Sequence, residues 1–545
     1  MKRRSFWASL AGAALAARRD YIKVDGDSAA RELLNRAFAV LAGRDDQHTL
    51  GKLAVVGVDG QRHFINDNVW WLWTDSQCNY VATYGWRPFF TPEFRNIDRT
   101  TWSTPFRDQV TPALQQFFRR EQKAPKVPPL GWLPSSYDPM KKHRVISDSV
   151  TQYYTNAFLK KNSLEVATGM DHGENTDYPL QNLVSALDWC LWERDTRTAQ
   201  EYLPKIDQFL DALSRYAQPN GLLLTDTQAS QVEYGHRGWR YAAHTHVYLA
   251  AVVQRMVEVA RMSGEAKLLA KYTARTEALA EGVRRFLEQD RWFAGGLAPD
   301  GKTKLGSGRM DGTASDYFEV WHNVNAVVLG VAGERLSKTI VAKLRSIPAL
   351  IDNHLTLVNY PARPIEEMDT GDWYPKAGQH VNAGWMWMTG ASALASHALT
   401  AHPATLEEAA RLMDDFDRHL TIDYYNNYGR DKESQWKERG RDSYSVSSAG
   451  AFGMLFRGLF DFRVSAAALS VRPHLPNGVE RMEIDWPVAY GSKQLWFSVT
   501  KGTGKRWDVQ VNGKRWANVE QNGSIVFPYA KLPDRSQVSL VGPAF

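Results

Sequence analysis

Five polar segments of this chain set carboxylates beside aromatic residues, which is a composition suited to acid–base work on a sugar. The first reads Gly169-Met170-Asp171-His172-Gly173-Glu174-Asn175-Thr176-Asp177-Tyr178 and runs straight into an apolar stretch. Thr176 or Asp177 fits the N-cap of a helix starting there, whereas Asp171 and Glu174 come too early to cap it and are free to face a cleft. The second, Gln231-Val232-Glu233-Tyr234-Gly235-His236-Arg237-Gly238-Trp239-Arg240, holds one carboxylate among Tyr, His, Arg and Trp. The third spans Asp311 to His322 and includes Asp316, Glu319 and Trp321, with helix capping as the plain reading of Asp316. The fourth, Glu366-Glu367-Met368-Asp369-Thr370-Gly371-Asp372-Trp373-Tyr374, precedes the Trp-rich stretch that contains Trp385. The fifth, Tyr424 to Glu438, carries Glu433, Trp436 and Glu438 with several tyrosines and amides.

A carboxylic acid pressed against aromatic rings loses solvation, and its pKa rises toward the value a general acid needs at neutral pH. Two such groups across a sugar hydrolyse a glycosidic bond. One protonates the leaving oxygen and the other activates water, at ~6.5–9.5 Å apart for inversion or ~5–5.5 Å for retention. The candidate catalytic carboxylates are Glu233, Glu433, Glu438, Asp171 and Glu174. Tyr234, His236, Arg237, Trp239, Asp316, Trp321, Asp372, Trp373, Trp385 and Trp436 are the candidate substrate contacts. The bland alternative for Glu233 is a salt bridge to Arg237 or Arg240.

Other chemistries lack their residues. No Gly-rich phosphate loop stands between a strand and a helix, no HExxH occurs, and no G-x-S-x-G elbow has plausible partners. His244 and His246 lie two apart on a predicted helix and so face different ways. No metal and no organic cofactor is therefore expected. The net charge is +6, but Lys2, Arg3 and Arg4 supply half of it, which leaves no footprint for nucleic acid. No apolar run reaches the ~18–20 residues that span a bilayer, so no membrane insertion is expected. Cys78 and Cys190 cannot build a disulfide framework or a four-cysteine zinc site; one disulfide between them is an option, and two isolated buried thiols are the favoured reading. The 20 Trp, 22 Tyr and 22 Phe are the informative excess, because aromatic faces in polar clefts suit the flat apolar faces of sugars.

The elements that must position these residues follow from periodicity. Met1 to Ala17 reads as a secretory signal of twin-arginine character, implying export to a bacterial periplasm or beyond. Residues 20–145 form an irregular, aromatic-rich region with mixed helix and strand, beginning with a helical pattern over Ser28 to Ala42. From 146 to 460 the chain reads as paired helices. Ser149–Lys160 is the first helix. Tyr178–Arg194, Tyr317–Val331 and Ala377–Leu399 are apolar at nearly every turn, Arg240–Met262 is long and mixed, and Tyr444–Phe460 is small and apolar. Ala199–Tyr216, Glu265–Glu288, Glu334–Arg345 and Leu406–His419 carry one apolar stripe. That alternation of inner and outer helices implies a mainly α fold, an (α/α)6 toroid barrel, with the carboxylate-rich segments gathered at its mouth. From 461 to 545 the period falls to two, with Asn512-Gly513 as a hairpin turn, which predicts a C-terminal antiparallel β-sandwich.

With those residues in view, the chain resembles the six-hairpin glycosidases, the barrel shared by trehalases, processing α-glucosidases, glucoamylases and α-L-rhamnosidases. The resemblance covers Ser147 to Phe545. It rests on Gly371-Asp372-Trp373-Tyr374-Pro375 running into Ala383-Gly384-Trp385-Met386-Trp387, and on Tyr444-Ser445-Val446-Ser447-Ser448-Ala449-Gly450. It rests also on Leu469-Ser470-Val471-Arg472-Pro473-His474-Leu475-Pro476, similar to the join between barrel and terminal sandwich in rhamnosidases. The resemblance implies an acid before the third inner helix and a base before the sixth, which here are Glu233 and the Glu433/Glu438 pair. Gly169-Met170-Asp171-His172 is similar to the acid-bearing motif of processing glucosidases but falls one hairpin early, so Asp171 and Glu174 stay in contention. An exo-acting, inverting hydrolase on an oligosaccharide or polysaccharide is the implied activity. Two alternatives share the barrel. In a polysaccharide lyase, Tyr234 or His236 would take the proton beside a uronate that Arg237 and Arg240 neutralise. In a carbohydrate-binding protein, the loops would hold sugar without turning it over.

Overall fold

The structure, a computed structural model, describes residues 21–35 (29 and 33 apart), 87–103, 177–214, 217–223, 241–305, 318–346, 459–475, 478–517 and 523–543. It also describes short strand pieces at 54–56, 62–64, 74–75, 136–137, 359–360, 423–425 and 437–439. Within these the protein is a mixed helix and sheet fold.

Three helical hairpins follow one another: α2 (Asp177–Glu193) with α3 (Thr196–Ser214), α4 (Ala243–Ser263) with α5 (Ala266–Arg284), and α6 (Val320–Val328) with α7 (Gly333–Arg345). A preceding helix, α1 (Pro92–Ser103), packs on α2. Helix α4 packs against both α2 and α6. Every residue from Leu180 to Trp192 is buried, as is every residue from Ala243 to Val253. In α5 only Tyr272, Gly282 and Val283 are buried, and in α7 only Ile340, Val341 and Leu344. The helices that read as apolar are thus inner, joined by α4, which reads as mixed, and those with one stripe lie outside. The expected alternation of inner and outer helices holds over these three hairpins. The segments expected to close a ring, 377–399, 406–419 and most of 444–460, lie outside the described residues. Among the described residues no helix is long and apolar enough to cross a membrane.

A buried ion pair fixes the N-terminal segment to the inner layer. Arg87 donates through Nε and Nη2 to the two oxygens of Asp98 on α1, at 2.8 and 2.9 Å, and Nη2 also reaches Ser185 Oγ on α2 at 2.8 Å. The planar fork matches the carboxylate, which is why Lys would not substitute.

The C-terminal unit is two packed sheets. The larger runs β1 (Ile22–Asp25), β4 (Arg481–Ile484), β6 (Lys493–Gly504), β10 (Arg535–Pro543), β7 (Asp508–Val511), β8 (Lys514–Arg515), with β5 (Val488–Tyr490) also on β6. The smaller is β2 (Arg463–Val464), β3 (Ala468–Val471), β9 (Ile525–Pro528). Phe497 of β6 meets Phe462 and Phe527 between them. Asn512 and Gly513 both have positive φ, the backbone of the expected two-residue hairpin between β7 and β8.

Two features correct the expected antiparallel sandwich. β6 and β10 are paired in parallel, Trp496 opposite Gln537, because β10 crosses over to insert between β6 and β7. β1, from the N-terminal region, is the edge strand of this sheet, with Ile22 opposite Ile484. The sandwich is joined to the helices by Arg194. Its Nη1 donates to the carbonyls of Ser465 and Ala466, and its guanidinium lies 4.9 Å from the Tyr529 ring centroid.

Gly26 closes β1. Its φ of +112° is in glycine territory, and a Cβ there would lie 2.1 Å from the Gly478 carbonyl oxygen. Gly26→Ala is expected to cost about 1–3 kcal/mol. The loss would read as a lower urea midpoint, with faster amide exchange confined first to Ile22–Asp25.

Candidate functional site

The strands that enter α4 and α6 are each held by the segment that leaves an outer helix. Tyr241–Ala242, just before α4, pairs with Gly296–Leu297, which follows α5. Phe318–Glu319, just before α6, pairs with Asn359–Tyr360, which follows α7. The segment 292–297 touches both entrances. Gly296 and Leu297 pair ahead of α4, while Phe293 exchanges hydrogen bonds with Asn323 in the first turn of α6: its N–H donates to Oδ1 at 2.8 Å and its carbonyl accepts from Nδ2 at 3.0 Å. The entrances to α4 and α6 therefore lie at the same end of the inner layer.

His246 is the fourth residue of α4, as Asn323 is of α6, and it does the same work. Its Nδ1 donates to the Ala242 carbonyl at 2.7 Å, and its Nε2 accepts the Leu223 N–H at 2.9 Å from the segment after α3. The tautomer follows, since a carbonyl only accepts and an amide N–H only donates. Burial holds its pKa down to about 4, against the opposing Ala242 bond.

Glu319 and His322 form the reactive-looking pair at this end. Glu319 Oε2 lies 3.1 Å from His322 Nδ1, with side chains 11% and 2% exposed. His322 Nε2 faces the Phe293 carbonyl at 3.3 Å. A carbonyl only accepts, so a bond to it uses a proton on Nε2. Burial lowers the His322 pKa to about 4, against the opposing Phe293 bond. His244, on α4, is buried with Nε2 unpartnered, and burial first, then His322 and His246, pushes its pKa well below the usual range. Among the described residues no group of three His, Cys, Asp or Glu is arranged to hold a metal ion. Cys190 is a free, buried thiol pushed up to about 12 by burial, which makes it a poor nucleophile. At the far end of the inner layer a cavity of about 240 Å³ is lined by Arg87, Asp188, Arg255 and Arg463. There Arg255 Nε donates to Asp188 at 2.7 Å, a structural pairing.

Most residues singled out from the sequence lie outside the described ones: Asp171, Glu174, Glu233, Tyr234, His236, Arg237, Trp239, Asp316, Asp372, Trp373, Trp385, Glu433 and Trp436. Their chain positions still bear on the site. Glu233 to Trp239 lie directly ahead of Tyr241–Ala242, Asp171 and Glu174 ahead of α2, and Asp316 three residues ahead of Glu319. Trp321 is the second residue of α6. Glu438 lies on the strand Lys437–Arg439, opposite Tyr424 of Asp423–Tyr425. Glu319, His322 and Asn323 were not among the residues chosen from sequence. Glu319 and His322 sit in the third segment, and their i, i+3 spacing across a helix start was the available signal.

No family model matches the chain, and no curated relative does. Among solved structures it is similar to a wild-type glycosidase, at 12% identity over 78% of this chain and 96% of that one, with a TM-score of 0.44. It is similar also to a GH78 family rhamnosidase of Bacillus sp. GL1, at 12% identity over 60% of this chain and 32% of that one, TM-score 0.38. A third is a family GH92 α-mannosidase from Bacteroides thetaiotaomicron, at 10% identity over 96% and 57%, TM-score 0.34. These neighbours are glycoside hydrolases. The chain spans about a third of the rhamnosidase's length. At such identities and scores, functional assignment rests on the chain's own residues.

The buried histidines make stability depend on pH. His246 and His474 have folded values near 4, held down by burial, below the usual 6.5. Below about pH 6.5 the unfolded chain takes up protons that the folded chain refuses, so stability is fully present above that pH and is lost as pH falls toward 4. The urea midpoint is expected to drop between pH 7 and pH 5, and His246→Gln to remove one proton's share of that slope.

Proposed function

We propose that this protein is a glycoside hydrolase that acts on an oligosaccharide or polysaccharide through a general-acid and general-base carboxylate pair. The observation that carries the reading is the shared entrance of α4 and α6. The segments richest in carboxylates and aromatics feed directly into it, and a carboxyl there, Glu319, lies 3.1 Å from the buried imidazole of His322. In this reading the hairpins are part of an (α/α)6 barrel that also takes in the segments 149–160, 377–399, 406–419 and 444–460, and the catalytic pair is drawn from Glu233, Asp171 and Glu174 with Glu433 and Glu438. One carboxyl protonates the glycosidic oxygen. The other takes a proton from water as it attacks the anomeric carbon from the opposite face, which inverts configuration and releases one sugar unit from a chain end. Trp239, Trp321, Trp373, Trp385 and Trp436 supply faces for the sugar rings, and Tyr234, His236, Arg237, Asp316 and Asp372 supply hydrogen bonds to its hydroxyls. Export to a periplasm, by the twin-arginine-like start, would place the enzyme with polymeric glycan.

The test is incubation of the protein with neutral and uronate-containing oligosaccharides, following reducing ends and absorbance at 235 nm together. Reducing ends without absorbance are expected. Absorbance would instead indicate a lyase centred on Tyr234 and His236. Glu233→Gln and Glu433→Gln are each expected to lower kcat by about 10²–10⁴-fold, with folding unchanged by thermal melt. The acid is then distinguished by leaving group: its Gln variant should recover activity on a glycosyl fluoride, which needs no proton to depart, and the base variant should not. Glu319→Gln belongs in the same comparison, because an acid role for Glu319 requires the same recovery.

A further inference from the structure

We propose that the solvent face of the larger sheet is a second glycan-binding site, a flat platform centred on Trp496 that takes neutral pyranose units of the polymeric substrate. The proposal rests on the hydrolase reading for the identity of its ligand.

Along β6 the side chains alternate, with Leu495, Phe497 and Val499 buried while Trp496 and its same-face neighbours are at least partly open to solvent. A tryptophan that belonged to the core would lie on the other face. The register gives its surroundings. Gln537 is directly opposite Trp496 on β10, Arg535 is opposite Gln494, and Ser498 is opposite Ser539, which in turn is opposite Gln510 on β7. Neighbouring strands lie ~4.8 Å apart, so Ser498, Ser539 and Gln510 form a row about 10 Å long, close to the span of two sugar rings. Amides and hydroxyls around an indole face are what a pyranose needs, since its C–H face stacks and its equatorial hydroxyls donate and accept at the rim.

Charge speaks against a polyanion. On this face Lys23, Arg481, Arg515 and Arg535 are interspersed with Asp25, Glu483 and Asp508, and Lys23 and Arg481 share Glu483 at 3.0 and 2.8 Å, so carboxylates interrupt the basic groups. Arg535 reaches the Trp496 ring only at 5.9 Å and is itself exposed, so a sugar can displace it at little cost. Val541, on the same strand face, is the exposed large hydrophobic residue among those described, too small an apolar area for a stable protein interface. The sheet carrying the platform is tied to the inner helices through Arg194, so a polymer held there stays at a fixed distance from the enzyme's helical unit.

The experiment uses the full chain and its Trp496→Ala, Trp496→Phe and Gln537→Ala variants. Binding is measured by affinity electrophoresis and calorimetry with soluble neutral polysaccharides (mixed-linkage β-glucan, xylan and galactomannan), and turnover on those polymers and on short oligosaccharides of the same linkage. For the polymer that wild type degrades, Trp496→Ala is expected to weaken binding about ten-fold and raise KM alike, with Trp496→Phe retaining most of the affinity. Kinetics on the short oligosaccharides should be unchanged, and thermal midpoints should match wild type. Turnover by wild type with polymer binding unaltered in Trp496→Ala would overturn the platform and leave the hydrolase standing. A change of sedimentation in Trp496→Ala with glycan binding intact would overturn it in favour of a contact between copies. Absence of turnover by wild type on every glycan would overturn the hydrolase reading, and the platform with it.

Discussion

A helix buried on every side has no water to finish its hydrogen bonding, and this constraint shapes the architecture. The chain that enters α4 or α6 must find protein partners for backbone groups that solvent would otherwise satisfy. The protein meets the need with a returning segment and a polar side chain one turn inside the helix: His246 in α4, Asn323 in α6. Each side chain both donates and accepts, which is why an amide and a neutral imidazole can fill the same position. An imidazolium could not, because it has no lone pair for the Leu223 N–H. The low pKa of His246 and the geometry of the entrance are therefore one fact seen twice.

The same constraint explains why chemistry collects at that end. Segments forced to return to the entrances bring side chains from distant parts of the sequence together, and the carboxyl of Glu319 is caught among them. The buried imidazole of His322 faces the Phe293 carbonyl with one nitrogen and lies 3.1 Å from that carboxyl with the other. The opposite end of the inner layer is built differently, with ion pairs such as Asp188 with Arg255 joining helix to helix beneath the sandwich.

The layering was legible from sequence because burial on all sides and burial on one stripe leave different periodicities. Leu180 to Trp192 shows no polar face, while α7 leaves everything at least partly exposed except Ile340, Val341 and Leu344 on its buried stripe. The β7–β8 turn was legible because Asn-Gly has few other uses. The parallel pairing of β6 with β10 was not, since alternation reports which face a residue takes and says nothing about which strand lies alongside. Nor was β1, a four-residue strand whose partner is far along the chain. Of the candidate site, the positions of the loops were readable, but the Glu319–His322 pair depends on a carbonyl at Phe293 that no local pattern could supply. The loop carboxylates themselves, Glu233 and Glu433 among them, lie outside the described residues.

β1 is made early in synthesis and paired late. Lys23 meets Glu483 across 460 residues of intervening chain, so the edge of the larger sheet cannot form until the helical hairpins and β4 already exist. Closing a loop of that length is entropically affordable only after the hairpins have folded and shortened the path between its ends. The sheet's final strand is thus a latch that can engage only once the rest of the molecule is assembled. Until then the apolar side of β1, Ile22 and Val24, has no home and must be kept from wrong partners. β1, made well before the strand it pairs with, waits for that partner to find its place.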